Sequence, residues 1–216
     1  MDNLAARQQM VDQQIRTWEV LDPRVLDAIS EVPREAFVPS RYRELAFADA
    51  PLPIGSGQWM LAPKIQGRIL QALEVNPTDS ALEVGTGTGY LSACLSLLSG
   101  STHSIEIHPE LSAQAESNLR AVPRARVQLE TRDAFSSAAL GEYDVIAITG
   151  SLPVYDARFE RALKLGGRLF TVVGPPPAMD AILVRRVDES EWIRESLFET
   201  VIDPLINAAP ARGFVF

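Results

Sequence analysis

Between residues 80 and 173 the chain alternates short apolar runs with amphipathic stretches, and no other feature limits its fold as tightly. Ala81 to Val84, Thr102 to Ile107, Arg126 to Glu130, Tyr143 to Ile148 and Arg168 to Val173 each suit a strand. Tyr90 to Leu98, Pro109 to Leu119 and Asp156 to Leu163 suit helices. Such alternation predicts parallel strands with helices on both faces of the sheet. Ala181 to Val187 and Ser196 to Ile202 read as two more strands, parted only by Asp188 to Glu191. So short a break joins antiparallel neighbours, and an antiparallel pair is expected at one end of the sheet.

The first ~75 residues look helical instead. Leu4, Val11, Ile15 and Trp18 recur at the spacing of one helical face. Asp22-Pro23 reads as an N-cap followed by proline at the first helical position, with Val25, Leu26 and Ile29 turned inward. Val32-Pro33 ends that helix. Pro63 opens another, with Ile65, Ile69, Leu70 and Leu73 on one face. Between them, Pro51 to Gly57 holds two prolines and two glycines and is expected to be a shaped loop. The expected division is a helical region with this loop over 1–75 and an α/β domain over 76–216, in one compact unit.

The turn between the first strand and its helix reads Glu83-Val84-Gly85-Thr86-Gly87-Thr88-Gly89-Tyr90. In an open parallel sheet, ligands bind beyond the carboxyl ends of the strands, where this turn lies. A dinucleotide fingerprint needs Gly-x-Gly-x-x-Gly, but here Tyr90 holds the last place. No Gly-Lys-Ser/Thr follows, which excludes a Walker-type phosphate loop. Glu83 would repel a pyrophosphate and suits a ligand with positive charge, such as the amino group of a methionine moiety. Glu106 ends the second strand about 20 residues beyond the glycines, the distance at which a carboxylate accepts from ribose hydroxyls. Asp133 follows the third strand and is read either as an acceptor for an adenine amino group or as a helix N-cap. S-adenosylmethionine meets these requirements.

At this point the chain resembles the protein-L-isoaspartate O-methyltransferases over most of its length. Val32 to Pro39 is similar to that family's N-terminal motif, and Leu52 to Gln58 to the entrance of its substrate loop. Leu82 to Tyr90 resembles its first cofactor motif and Ser104 to Leu111 its second. Lys164 to Leu169 resembles a late strand motif common among methyltransferases. The resemblance implies a Rossmann-like class I methyltransferase sheet, mostly parallel. It also implies methyl transfer from S-adenosylmethionine to the free carboxylate of L-isoaspartyl residues in damaged protein. The implied cofactor contacts are Glu83 at the methionine end, Gly85, Thr86, Gly87, Thr88, Gly89 and Tyr90 in the turn, Glu106 and Ile107 at the ribose, Asp133 and Ala134 at the adenine, and Thr149. The implied substrate contacts are Ile54, Gly55, Gln58, Trp59, Met60 and Leu61.

The family's substrate loop continues, after the glutamine matched by Gln58, with threonine, isoleucine and a serine assigned to the active site. Here Trp59, Met60 and Leu61 stand in those places. Leu61 has no hydroxyl, so the catalytic group is unassigned. Two other readings stay open: a methyltransferase for another acceptor, such as a small carboxylate, and a non-catalytic module that binds S-adenosylmethionine. Gly150-Ser151-Leu152 is a second departure, replacing the small-residue run usual after the fourth strand.

A formal charge of -8 argues against a broad phosphate-binding face, so nucleic acid is not an expected partner. Met1 to Leu4 lacks the basic start of a signal peptide, and no apolar stretch approaches membrane-spanning length. A cytoplasmic protein is expected, with the monomer preferred. Cys94, the single cysteine, lies in an apolar run and reads as core filler. His103 and His108, five residues apart on an extended segment, point to opposite faces and indicate no metal site.

Overall fold

The computed structural model describes residues 3–211. Met1 and Asp2, the start of the stretch read above for a signal peptide, lie outside the described residues. Helix α1 (Asn3–Met10) runs on through a wider turn at Val11–Ile15 and a tighter one at Arg16–Trp18. Val11 and Ile15 are buried, but Leu4 is exposed, so the expected apolar face begins later than its spacing implied. Helix α2 (Pro23–Glu31) is capped as its sequence predicts: Asp22 accepts from the Arg24 N–H, and Pro23 holds the first helical position. After the short α3 (Arg34–Phe37), the expected loop proves to be a hairpin. Strands β1 (Leu52–Gly55) and β2 (Gln58–Met60) pair antiparallel, Leu52 opposite Met60, around a turn at Ser56-Gly57. Proline and glycine mark the turn and the irregular register, yet they do not reveal which residues pair across them. Helix α4 (Pro63–Leu73) buries Ile65, Ile69, Leu70 and Leu73, as expected.

The α/β part follows as β3 (Ser80–Val84), α5 (Tyr90–Leu98), β4 (Ser101–Glu106), α6 (Pro109–Leu119), β5 (Val127–Thr131), β6 (Tyr143–Leu152), α7 (Ala157–Arg161), β7 (Leu163–Val173), β8 (Asp180–Asp188) and β9 (Glu191–Glu199). One seven-stranded sheet has the order β5-β4-β3-β6-β7-β8-β9. Its first five strands are parallel, while β7-β8 and β8-β9 are antiparallel. Ala81, Val145 and Phe170 face the layer of α4 and α5; Leu82, Ile146 and Leu169 face the opposite core with Phe159. Covering both faces explains why these strands read as continuous apolar runs. β9 begins five residues earlier than expected. It is an edge strand with mostly exposed side chains, and in its first half Trp192 and Ile193 stand side by side between charged residues, without the alternation of a half-buried strand. Val201 and Ile202, read as its end, have left the sheet.

Cys94 is fully buried, and burial pushes its thiol up to about 12, which leaves it protonated and inert. Among the described residues no helix is long and apolar enough to cross a membrane.

Candidate active site

The sheet order reverses at β3, so the loop after β3 turns toward β4 while β6 takes the other side. The crevice opened there is the glycine turn's location. Gly85 donates to the Ile105 carbonyl at 2.9 Å and has φ +95°. A Cβ at this position would lie 2.3 Å from Thr149 Oγ1. That hydroxyl is already committed to the carbonyls of Val84 (3.0 Å) and Gly85 (2.7 Å). Gly87, with φ +54°, donates to Glu106 Oε2 at 2.8 Å, and a Cβ there would meet Ile54 of the hairpin at 3.1 Å. Only glycine combines this handedness with so close an approach from both sides.

A cavity lies over this turn at the carboxyl ends of β3, β4, β5 and β6. Of the expected cofactor residues, Gly85, Gly87, Glu106, Ile107, Asp133, Ala134 and Thr149 line it. The Glu106 carboxylate is held by two backbone donors, Gly87 N–H and His108 N–H (3.0 Å). Asp133 accepts from the Phe135 N–H at 2.7 Å and from Asn207 at 2.8 Å. The helix N-cap reading of Asp133 does not hold, because no helix follows it: its carboxylate closes a turn at Ala134-Phe135 and lines the cavity, a position open to the acceptor reading.

Glu83, Thr86, Thr88, Gly89 and Tyr90 do not line the cavity. The Glu83 side chain is fully buried behind the turn, where it accepts from Ser92 and from Ser104 (2.6 Å). Its other oxygen has no hydrogen-bond partner among the described residues. Burial is the main reason its carboxyl is pushed up to about 7; the two serine bonds oppose the shift and nearby Glu106 adds to it. The strand alternation places Glu83 on the α5 side of the sheet, away from the open crevice. Thr86 bonds Ser104 at 2.6 Å, and Tyr90 is wedged between Phe37 and Arg34. These residues shape the turn from behind.

The hairpin forms the other wall. Ile54, Gln58, Trp59 and Leu61 line the cavity, whereas Gly55 does not and Met60 is buried in the core. Arg34 fixes this wall. Its guanidinium is wholly buried, donates to Ala46 O (2.8 Å), to Gln66 and to Leu61 O (2.8 Å), and lies 4.9 Å over the Tyr90 ring. One side chain from the N-terminal region thus joins the end of the hairpin to the first residue after the glycine turn.

Sequence reasoning missed the cavity's third wall. Val201 to Ile206 cross its mouth as a strap, held by Ser151 N–H to Asp203 O (2.8 Å) and Leu205 N–H to Ser151 O (3.0 Å). The Asp203-Pro204 pair signals that a strand has ended, but not where the chain goes next. His108 and Arg132, each adjacent to an expected residue, also line the cavity.

The donors and acceptors fit an adenosyl ligand: two carboxylates with spare acceptor capacity at the β4 and β5 ends, apolar Ile107 and Phe135 beside them, and exposed glycine backbone at the β3 end. Residues 5–208 match the protein family described as protein-L-isoaspartate(D-aspartate) O-methyltransferase. A protein-L-isoaspartate O-methyltransferase of Koribacter versatilis is 37% identical, covering 95% of this chain and 94% of its own. A protein-L-isoaspartate O-methyltransferase 1 of Rhodopseudomonas palustris is 36% identical, covering 94% and 84%. A crystal structure of a beta-aspartate methyltransferase from Plasmodium falciparum, in complex with S-adenosyl-L-homocysteine, superposes with TM-score 0.80 at 18% identity, over 92% of this chain and 97% of that one. That likeness shows the fold.

Proposed function

The chain belongs to the protein-L-isoaspartate O-methyltransferase family, and from that membership we propose how its cavity performs carboxyl methylation of L-isoaspartyl residues in damaged proteins. The observation that carries the assignment of residues is the shared cavity. Its sheet side gathers the glycine turn, Glu106 and Asp133, and its hairpin side presents Gln58, Trp59 and Leu61. S-adenosylmethionine, bound on the sheet side, supplies an electrophilic methyl group.

Glu106 would accept from the ribose hydroxyls, its orientation set by the two backbone donors behind it. Asp133, Ala134 and Phe135 would hold the adenine, and the backbone at Gly85 and Gly87, steadied by Thr149, would hold the methionine portion. Glu83 acts at one remove, tying α5 and β4 to the turn through Ser92 and Ser104. The acceptor carboxylate is already ionised at neutral pH, so the site needs no strong general base. What the protein contributes is proximity and orientation in a crevice closed by the hairpin and the strap. The methyl ester formed on isoaspartate then closes to a succinimide, which reopens in part as ordinary aspartate.

Cytoplasmic proteins are the substrates in this reading. Incubation with labelled S-adenosylmethionine and an isoaspartyl peptide checks it, with the aspartyl peptide as control. We expect base-labile methyl ester only on the isoaspartyl peptide. Absence of ester from a protein that binds the cofactor would refute the reaction.

A further inference from the structure

In this chain the acceptor carboxylate meets a wall without the family's serine hydroxyl, for Leu61 stands at that place. The side chains around the hairpin end of the cavity are mostly apolar: Pro51, Ile54, Leu61, Val201, Ile202 and Ile206. No lysine or arginine of the hairpin wall lines it. The cavity's Arg132 stands beside Asp133 at the β5 end, and Lys64 is turned to Asp49 (2.7 Å) and the Trp18 ring (4.5 Å). Two side-chain N–H donors remain on this wall, the Gln58 amide and the Trp59 indole. The amide already reaches the Ser56 carbonyl at 3.4 Å. The indole N–H makes no hydrogen bond to any described residue.

Trp59 is also out of place as a packing residue. Its side chain is 50% exposed, although Met60 beside it is buried. Strand alternation turns Met60 inward and Trp59 toward the cavity mouth. Val201 and Ile206 of the strap are exposed at the same mouth. The Arg34 bond to the Leu61 carbonyl anchors β2 two residues away, so the indole is carried on a fixed element.

We propose that the Trp59 indole N–H takes the place of the missing hydroxyl, donating to the isoaspartyl carboxylate, while its ring covers an apolar side chain next to that residue in the peptide. This role rests on the methyl transfer assigned above. One carboxylate oxygen is held by the N–H. The other forms its bond to the methyl carbon as the carbon–sulfur bond breaks; the electron pair stays on sulfur and no proton moves. A ring that lies half in solvent gains most from a peptide that covers it, so peptides with an apolar neighbour are favoured over those with a charged one.

Trp59→Phe keeps the ring area and removes the N–H. We expect it to lower kcat/KM on an isoaspartyl peptide about tenfold or more, the size of a lost hydrogen bond to a charged group, with unchanged affinity for S-adenosylmethionine by calorimetry. Adding Leu61→Ser to Trp59→Phe restores a donor and is expected to recover activity. Wild-type rates in Trp59→Phe would overturn this role alone. So would a deficit that Leu61→Ser does not relieve, since the loss would then not be a missing donor. A wild-type protein inactive on the peptide would remove both the assigned reaction and this role.

Discussion

At the scale of the residue, Glu106 shows how a site can be prepared before its ligand arrives. Two backbone N–H groups occupy one direction on each of its oxygens, which leaves acceptor capacity on a residue that lines the cavity. Replacing it by alanine removes the acceptor and also frees Gly87 and His108. Glu106→Ala is expected to weaken binding of S-adenosylmethionine by about 1–3 kcal/mol, read by calorimetry. Unaltered affinity would show that the ribose is held elsewhere. Glu106 was legible in the sequence because a strand end and a fixed distance from the glycines locate it. Glu83 was only half legible. Its place at the end of β3 is a matter of counting, but its direction depends on Ser92 and Ser104, which the helix and the next strand bring to it. Asp133 likewise gains Asn207 as a partner from 74 residues away, which no local pattern announces.

At the scale of the element, the hairpin and Arg34 decide the shape of the acceptor side. A guanidinium offers a planar fork, and here its branches reach three separate segments of the chain. Lysine keeps the charge and loses the fork. Arg34→Lys is therefore expected to lower unfolding stability by about 1–3 kcal/mol, because buried carbonyls at Ala46 and Leu61 lose their donors. Urea denaturation measures it, and a midpoint equal to wild type would count against the fork as the joint. The cap of α2 could be read in advance because Asp22 bonds within its own turn. The hairpin could not, because its pairing depends on residues across a turn whose signals fit several loops.

At the scale of the whole molecule, burial of Glu83 couples folding to pH. Its carboxyl keeps its proton to about 7 in the folded chain, against an ordinary value of 4.5. Between those values the folded chain binds more protons than the unfolded one, so stability falls as pH rises across that window. The group's share of the loss between pH 5 and pH 8 is up to about 3 kcal/mol. Glu83→Gln cannot titrate, so its stability relative to wild type is expected to improve over the same range, as read by urea denaturation at both values. A constant difference would place the titration outside that window. The alternation of apolar runs, the glycine turn and the spacing to Glu106 determined the parallel sheet, its switch point and the cofactor end of the site. Each is a periodic or short-range property that survives in a linear chain. The strap over the cavity, the burial of Glu83 behind the turn and the joining of the hairpin to Tyr90 by Arg34 were decided only by the tertiary structure. Each depends on contacts between segments distant in sequence, and such contacts are settled by packing and hydrogen-bond satisfaction in the folded chain.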